Sequence, residues 1–277
     1  MAELLASGAV RKMKTELQDP VRYSMLLGEN EIHLNPYLGK SLQLDYSGVI
    51  NCIHCDRKTS KSFSQGYCYP CFKRLAQCDS CIVSPEKCHY DAGTCREPEW
   101  GEQHCMTDHI VYLANTSGMK VGITRGSQVP TRWMDQGATQ AMPIFRVDTR
   151  LHSGLVETMF KNHIADKTNW RAMLKGEAEP CDLALERERL MAETGKELDE
   201  LQRKHGLQAI TFLEQESQVS ISYPVLEYPV KVASHNLDKT PTVGGTLMGI
   251  KGQYLIFDTG VINMRKYGGY QLSLTLN

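Results

Sequence analysis

Ten cysteines occur among 277 residues, and nine of them lie between Cys52 and Cys105. The densest run, CIHCDRKTSKSFSQGYCYPC, sets out Cys52-x2-Cys55-x12-Cys68-x2-Cys71. Each CxxC turn presents two thiolates to one ion, and the loop between lets the two turns face each other. The product is a closed tetrahedral set of four thiolates, the donor set that structural zinc prefers. Phe63, Tyr67, Tyr69 and Phe72 would supply its apolar shell. Two roles are open to such a unit: a zinc ribbon that touches nucleic acid or protein, or a staple that only holds the fold. A second run, Cys78-x2-Cys81-x6-Cys88-x6-Cys95, offers four more thiolates, with His89, His104 and Cys105 nearby. A second zinc ion is expected there. An iron–sulfur cluster takes the same soft ligands, and the spacing does not separate the two. Cys181 stands alone and reads as an uninvolved thiol.

A different chemistry is suggested downstream. Metal-assisted cleavage of a phosphodiester needs a carboxylate for a divalent cation and a fixed cation for the charge that builds on phosphate. It also needs a group that orients or deprotonates the attacking water. Tyr112, Arg132 and Glu157 supply one of each in that segment, with Lys120 between the first two. Tyr112 lies in IVYLA and Gly122 in KVGIT, two short apolar runs around a polar turn that read as a β-hairpin. Arg132 begins the helix expected after the hairpin, and Glu157 falls on the next one. Each has a competing reading. Tyr112 fits a strand core with its hydroxyl satisfied, and Arg132 with Glu157 fits a structural ion pair.

The order of these residues resembles the GIY-YIG nuclease superfamily: IVYLA (Tyr112), KVGIT (Gly122), TRWMDQGA (Arg132) and GLVETMF (Glu157). The resemblance covers residues 108–176. It implies a small three-stranded sheet with helices, Tyr112 or a water as base partner, Arg132 on the phosphate, and Glu157 on Mg²⁺ or Mn²⁺. Two positions depart from the pattern. Lys120-Val121 precede Gly122 where the superfamily carries a second tyrosine, and Gln136 stands where a histidine often follows the arginine. Proton abstraction would then fall to Tyr112, Lys120 or a metal-bound water. The whole chain also resembles a bacterial family of uncharacterised zinc-binding proteins. The matching stretches are QGYCYPCF, GTCREPEWGEQHC, KVGITR, TRWMDQGA, DKTNWR and GIKGQYLIFDTGVINMRKYGGY. That likeness implies a domain order rather than an activity.

Charge separates the central segment from the rest. The whole chain nearly balances, with 31 basic and 32 acidic residues, so nothing global selects a nucleic acid or a membrane. Between His109 and Lys175, however, nine Lys and Arg face four acids, whereas residues 206–277 carry five of each. A basic module in a neutral chain is the footprint expected for phosphate-backbone binding, of DNA or RNA; an ordinary solvated face is the alternative. Arg125, Lys167 and Arg171 are candidate phosphate contacts, and Trp133 is a candidate stacking surface for unpaired bases. Trp133 and Trp170 fit core packing of a small domain as well.

Positioning these residues requires an α+β multidomain chain. Residues 1–50 read as short strands and 51–107 as a Cys-rich zinc-ribbon module. Residues 108–176 read as the small α/β, GIY-YIG-like domain, 177–205 as a charged helical linker capped by Asp182, and 206–277 as strands again. The two β-rich ends are expected to form one domain with the middle inserted; two separate β units are the alternative. No apolar run reaches the roughly 18 residues needed to span a bilayer. MAELLASGAVRKMKTEL lacks a signal-like apolar block, so a cytoplasmic protein with no membrane partner is expected. Three functions remain open: a divalent-metal-dependent phosphodiester hydrolase, a nucleic-acid-binding module that has lost cleavage, and a zinc-stapled protein-interaction scaffold.

Overall fold

A computed structural model describes residues 2–164 and 167–277. Met1, Ala165 and Asp166 lie outside the described residues; the last two fall in the segment 154–174, where apolar spacing predicts one helix.

Strands from both ends of the chain share one antiparallel sheet. Its order is Glu3–Ala9, Tyr270–Leu276, Ser41–Asn51, Thr242–Lys251, Tyr254–Phe257, Gly260–Asn263, with Lys58–Thr59 added beside Ser41–Asn51. Alternation in SLQLDYSGVI sets the register: Leu44 is opposite Leu274 on one side and Val243 on the other, and all three are buried. Burial of side chains this size stabilises by about 1.5–3 kcal/mol each. A three-stranded sheet, Lys14–Glu16, Arg22–Leu27 and Asn30–His33, adds Tyr23, Met25 and Leu27 to the same core.

The run QVSISYPVLEYPVKVAS reads as strand but pairs as one only over Val219–Ser220. Pro224 and Pro229 have no N–H to give a ladder, so the chain crosses as an extended connector. Isolated bridges, Val225 with Gly249 and Ser234 with Val261, tie it to the terminal sheet, and Tyr223 Oη donates to Ala138 O at 2.7 Å.

The second large sheet belongs to the middle of the chain. Its order is Ile210–Phe212, Gln140–Val147, His109–Asn115, Met119–Arg125, all antiparallel. The strand His109–Asn115 is buried on both faces, and its two-residue period divides it between two cores. Tyr112 and Ala114 pack with the terminal sheet. Val111 and Leu113 pack beneath the helices Arg150–Phe160 and Leu183–His205. Thr149 and Asp182 cap those helices, Asp182 accepting from Ala184 N and Leu185 N at 3.0 Å each. Gly206, at φ +102°, ends the long one. The first stops at Phe160 rather than running to residue 174. Asn169 caps a separate turn of helix, Trp170–Met173.

Beyond Lys58–Thr59, the cysteine-rich segment holds only short helices, Tyr69–Arg74 and Pro98–His104, and single 3-10 turns. One turn sits directly on the helix Arg150–Phe160 at Gly154, where a Cβ would lie 2.4 Å from Glu86 N. Only a residue without a side chain lets these backbones approach so closely. Among the described residues, no helix is long and apolar enough to cross a membrane.

Candidate functional site

Cys52, Cys55, Cys68 and Cys71 converge, their sulfurs all within 4.8 Å of one another. The Cys55 and Cys68 sulfurs are 3.7 Å apart. Cys52, Cys68 and Cys71 are buried with Leu75, while Cys55 is exposed. Phe63 stacks on Phe72 at 5.6 Å and tilts against Tyr69 at 5.5 Å, forming the aromatic shell. Burial alone would raise the Cys52 thiol, but backbone N–H groups of Cys55, Cys68 and His54 outweigh it and pull it down to about 6. Cys71 is pushed up to about 12, first by burial and then by the neighbouring thiols. One anionic sulfur beside protonated ones is the state expected of crowded thiols. A zinc-like cation is what allows all four to ionise.

The second cysteine run divides. Cys78 is buried beside the first cluster, next to Cys52, Cys68 and Cys71. Burial pushes its thiol to about 11, Arg96 lowers it and Cys52 raises it. It is not brought together with Cys81, Cys88 and Cys95. Those three instead line a small cavity with Cys105. Asp79, Cys81 and His89 also bring their ligand atoms within 4.8 Å of one another.

Arg132 and Glu157 line one cleft of about 540 Å³. Lys12, Arg125, Arg150 and Arg265 also line it, and its carboxylates are Asp135 and Glu157. Three parts of the chain therefore supply cations to one concavity. Asp135, 3% exposed, is held by Lys12 and accepts from Gln253 Nε2 at 2.9 Å. Glu157 pairs with Lys161 at 3.3 Å across one helical turn. Arg150 Nη2 donates to Ile82 O at 2.6 Å, and its buried Nε has no hydrogen-bond partner among the described residues. Burial lowers both the Arg150 and Arg265 pKa, and the Arg132 charge lowers each further. Crowded, partly desolvated guanidiniums with few counter-charges are stabilised by an incoming anion.

Tyr112 lies beneath this cleft rather than in its lining. It is fully buried, and its hydroxyl donates to Gln136 Oε1 at 2.9 Å. Gly122 is its partner across the hairpin, and the phenol ring covers that glycine. Burial pushes the phenol up to about 12. The charge and hydrogen bond of Arg132 pull it back, while Glu157 and Asp135 push it up. At neutral pH Tyr112 is a neutral donor packed against Arg132.

Of the other residues singled out from sequence, Arg125 reaches the cleft. Lys120 is buried at 4% opposite Ala114, outside the lining. Trp133 is buried with its ring edge against Tyr112, and its role is packing. Lys167 is exposed, and Arg171 lies over Trp170, which stacks on Tyr254 at 5.6 Å on a different surface. Among the lining residues, sequence reasoning singled out neither Lys12, Asp135, Arg150 and Arg265 nor Trp100, and it named His104 only as a nearby metal ligand. Trp100 and His104 stack at 4.3 Å and only 5° apart, an i to i+4 pair on one helix face, and that spacing was the signal available for them. No local pattern links Lys12 and Arg265 to a cleft whose other lining residues lie between Gln77 and Glu157.

No curated protein and no solved structure matches the chain. Residues 39–272, which include the cysteine segment and most of the cleft, match the family described as "protein of unknown function (DUF2797)", and the chain belongs to that family.

Proposed function

We propose that the arginine-lined cleft binds the phosphate backbone of DNA or RNA, in a protein whose four-cysteine cluster holds structural zinc and whose middle sheet is GIY-YIG-like. One observation carries this reading. Arg132 and Glu157, paired beforehand only by motif order, line the same cleft, together with Arg125, Arg150 and Arg265. The element order of hairpin, short helix, strand and helix, with Tyr112 over Gly122, supports the superfamily likeness.

Hydrolysis is the second reading, favoured by the position of Glu157. Its carboxylate is 13% exposed at the cleft wall and is held by an i,i+4 pair with Lys161. Such pairs contribute only about 0.3–0.5 kcal/mol and are easily exchanged. The residues fit an Mg²⁺ or Mn²⁺ ion bound through one carboxylate and the substrate's own phosphate. The ion would supply charge neutralisation at phosphorus. The chain's own contributions are Arg132 on the phosphate oxygens and Tyr112, a neutral donor, positioning Arg132. A buried phenol at about 12 is a poor proton acceptor at neutral pH. The water's proton therefore goes to solvent; Lys120 is buried outside the cleft lining.

Incubation of labelled oligonucleotides with Mn²⁺, using wild type and Glu157→Gln, tests both readings. Cutting by wild type alone supports hydrolysis. Binding by both with no cutting selects the binding module. Equal cutting by both removes Glu157 from the chemistry. No affinity at low salt leaves a zinc-stapled protein-interaction scaffold.

A further inference from the structure

We propose that Cys81, Cys88, Cys95 and Cys105 hold a second zinc ion, and that this centre forms one wall of the arginine cleft. The inference rests on the cysteine segment alone and stands whether or not the cleft binds nucleic acid.

The first observation is the partition of thiols. Cys78 opens the CxxC turn Cys78-Asp79-Ser80-Cys81, yet its side chain is packed beside Cys52, Cys68 and Cys71. The first centre already has four donors, so Cys78 is a buried neighbour there and is lost to a second centre. Cys105 replaces it. Cys81, Cys88, Cys95 and Cys105 line one cavity of about 10 Å³, the space of a single small sphere. Their sulfurs do not all lie within 4.8 Å of one another as the first four do. Rotation about each Cα–Cβ bond is the movement that closes them on an ion.

The second observation is how the cavity is built. The helix Pro98–His104 approaches Cys95 at Gly101, where a Cβ would stand 3.4 Å from Cys95 Sγ and 3.0 Å from the Tyr90 ring. Cys105 follows that helix, its N–H donating to Gly101 O at 2.7 Å. Cys88 closes the turn Pro85–Lys87. The stretch from Cys78 to Cys105 has no strand and little apolar burial of its own, which is the situation in which a metal supplies the folding free energy.

Asp79, Cys81 and His89 form a rival set. The Asp79 carboxylate is already committed, accepting from Ser80 N at 2.6 Å and pairing with Arg96 Nε at 2.7 Å. An ion there would have to displace a guanidinium and would gain one thiolate. The cysteine set gives four, which zinc favours. Loading releases the proton of each protonated thiol to solvent, and no oxidant is needed.

The consequence for the cleft runs through Arg150. Its backbone N–H donates to Cys105 O at 2.8 Å, and its Nη2 donates to Ile82 O at 2.6 Å. One acceptor is a ligand's own carbonyl, and the other belongs to the residue after Cys81. An ion that ties Cys81 to Cys105 therefore fixes both anchors of a cleft arginine.

Zinc content of the full chain, by native mass spectrometry and elemental analysis, tests this. Wild type and Cys78→Ser should each carry two zinc ions, Cys105→Ser one, and Cys105→His two, because histidine restores a donor. If Cys105→Ser does not fold, Cys105→His and Cys78→Ser still decide the matter. One zinc in wild type, loss of one in Cys78→Ser, or two retained in Cys105→Ser overturns the proposal. So does loss of one in both Asp79→Asn and His89→Ala, or iron in place of zinc.

Discussion

Gly122 and Tyr112 are opposite one another in the central hairpin, and a Cβ on Gly122 would lie 2.6 Å from Tyr112 Cζ and 2.7 Å from its hydroxyl. The tyrosine ring occupies the space that any other residue at position 122 would need. The ring is thereby held flat on the second strand, and its hydroxyl reaches Gln136 and the Arg132 guanidinium. The absence of a side chain at Gly122 thus leaves room for the ring that meets Arg132.

Gly122→Ala should destabilise the fold by about 1–3 kcal/mol, the usual cost of overpacking a closed core. Tyr112→Leu, which lacks the ring atoms nearest the new methyl, should suppress part of that cost. A double-mutant cycle in urea reads the coupling directly. Strictly additive effects would show that the ring is free to move aside.

Removal of metal from the first cluster should unfold the cysteine segment. Cys55 is exposed, so Cys55→Ser leaves little cavity, and its effect reports lost coordination. The expected result is loss of one zinc ion and a lower unfolding midpoint, with stabilisation reduced by at least about 3 kcal/mol. An unchanged midpoint after complete chelation would contradict a structural role.

Lys251 gives the stability a pH dependence. It is fully buried, donates to Gly176 O at 3.0 Å, and stands 5.1 Å from the Tyr228 ring and 5.5 Å from that of Tyr223. Burial pushes its pKa from 10.5 down to about 8, while Glu177 acts in the opposite direction. The unfolded chain then holds this proton more tightly than the folded one. Below pH about 8 the folded state carries the full penalty of a buried ammonium, and between about 8 and 10.5 stability rises with pH. A shift of that size corresponds to about 3 kcal/mol. Lys251→Met should therefore gain most over wild type at pH 7, and the gain should shrink toward pH 10. A gain that is constant across this range would place the lysine's pKa at its ordinary value.

The sequence announced some of this and concealed the rest for physical reasons. CxxC spacing is local, so the convergence of the first four cysteines was legible. The packing of Cys78 beside that cluster depended on which way a short turn faced, which spacing does not carry. Short apolar runs bounded by turn residues marked the strands around Tyr112 and Leu44. The same signal misled in the connector after Ser220, where an apolar run with two prolines makes only isolated bridges. The helix Arg150–Phe160 was visible in its apolar spacing, but its cap at Thr149 and its end at Phe160 were not. Residue order singled out Arg132 and Glu157, and both line one cleft. Lys12 and Arg265 became visible only once both ends of the chain shared one core, a relationship no local pattern carries.

The most direct test of the cleft is the salt dependence of single-stranded oligonucleotide binding, followed by fluorescence anisotropy for wild type, Arg132→Ala and Arg265→Ala. Affinity should fall linearly on logarithmic axes as salt rises, with a slope of about −0.7 per phosphate contacted. Each substitution should weaken binding about tenfold and flatten the slope by about one contact. Wild type without affinity at low salt, or binding that neither substitution alters, would contradict a phosphate-binding cleft.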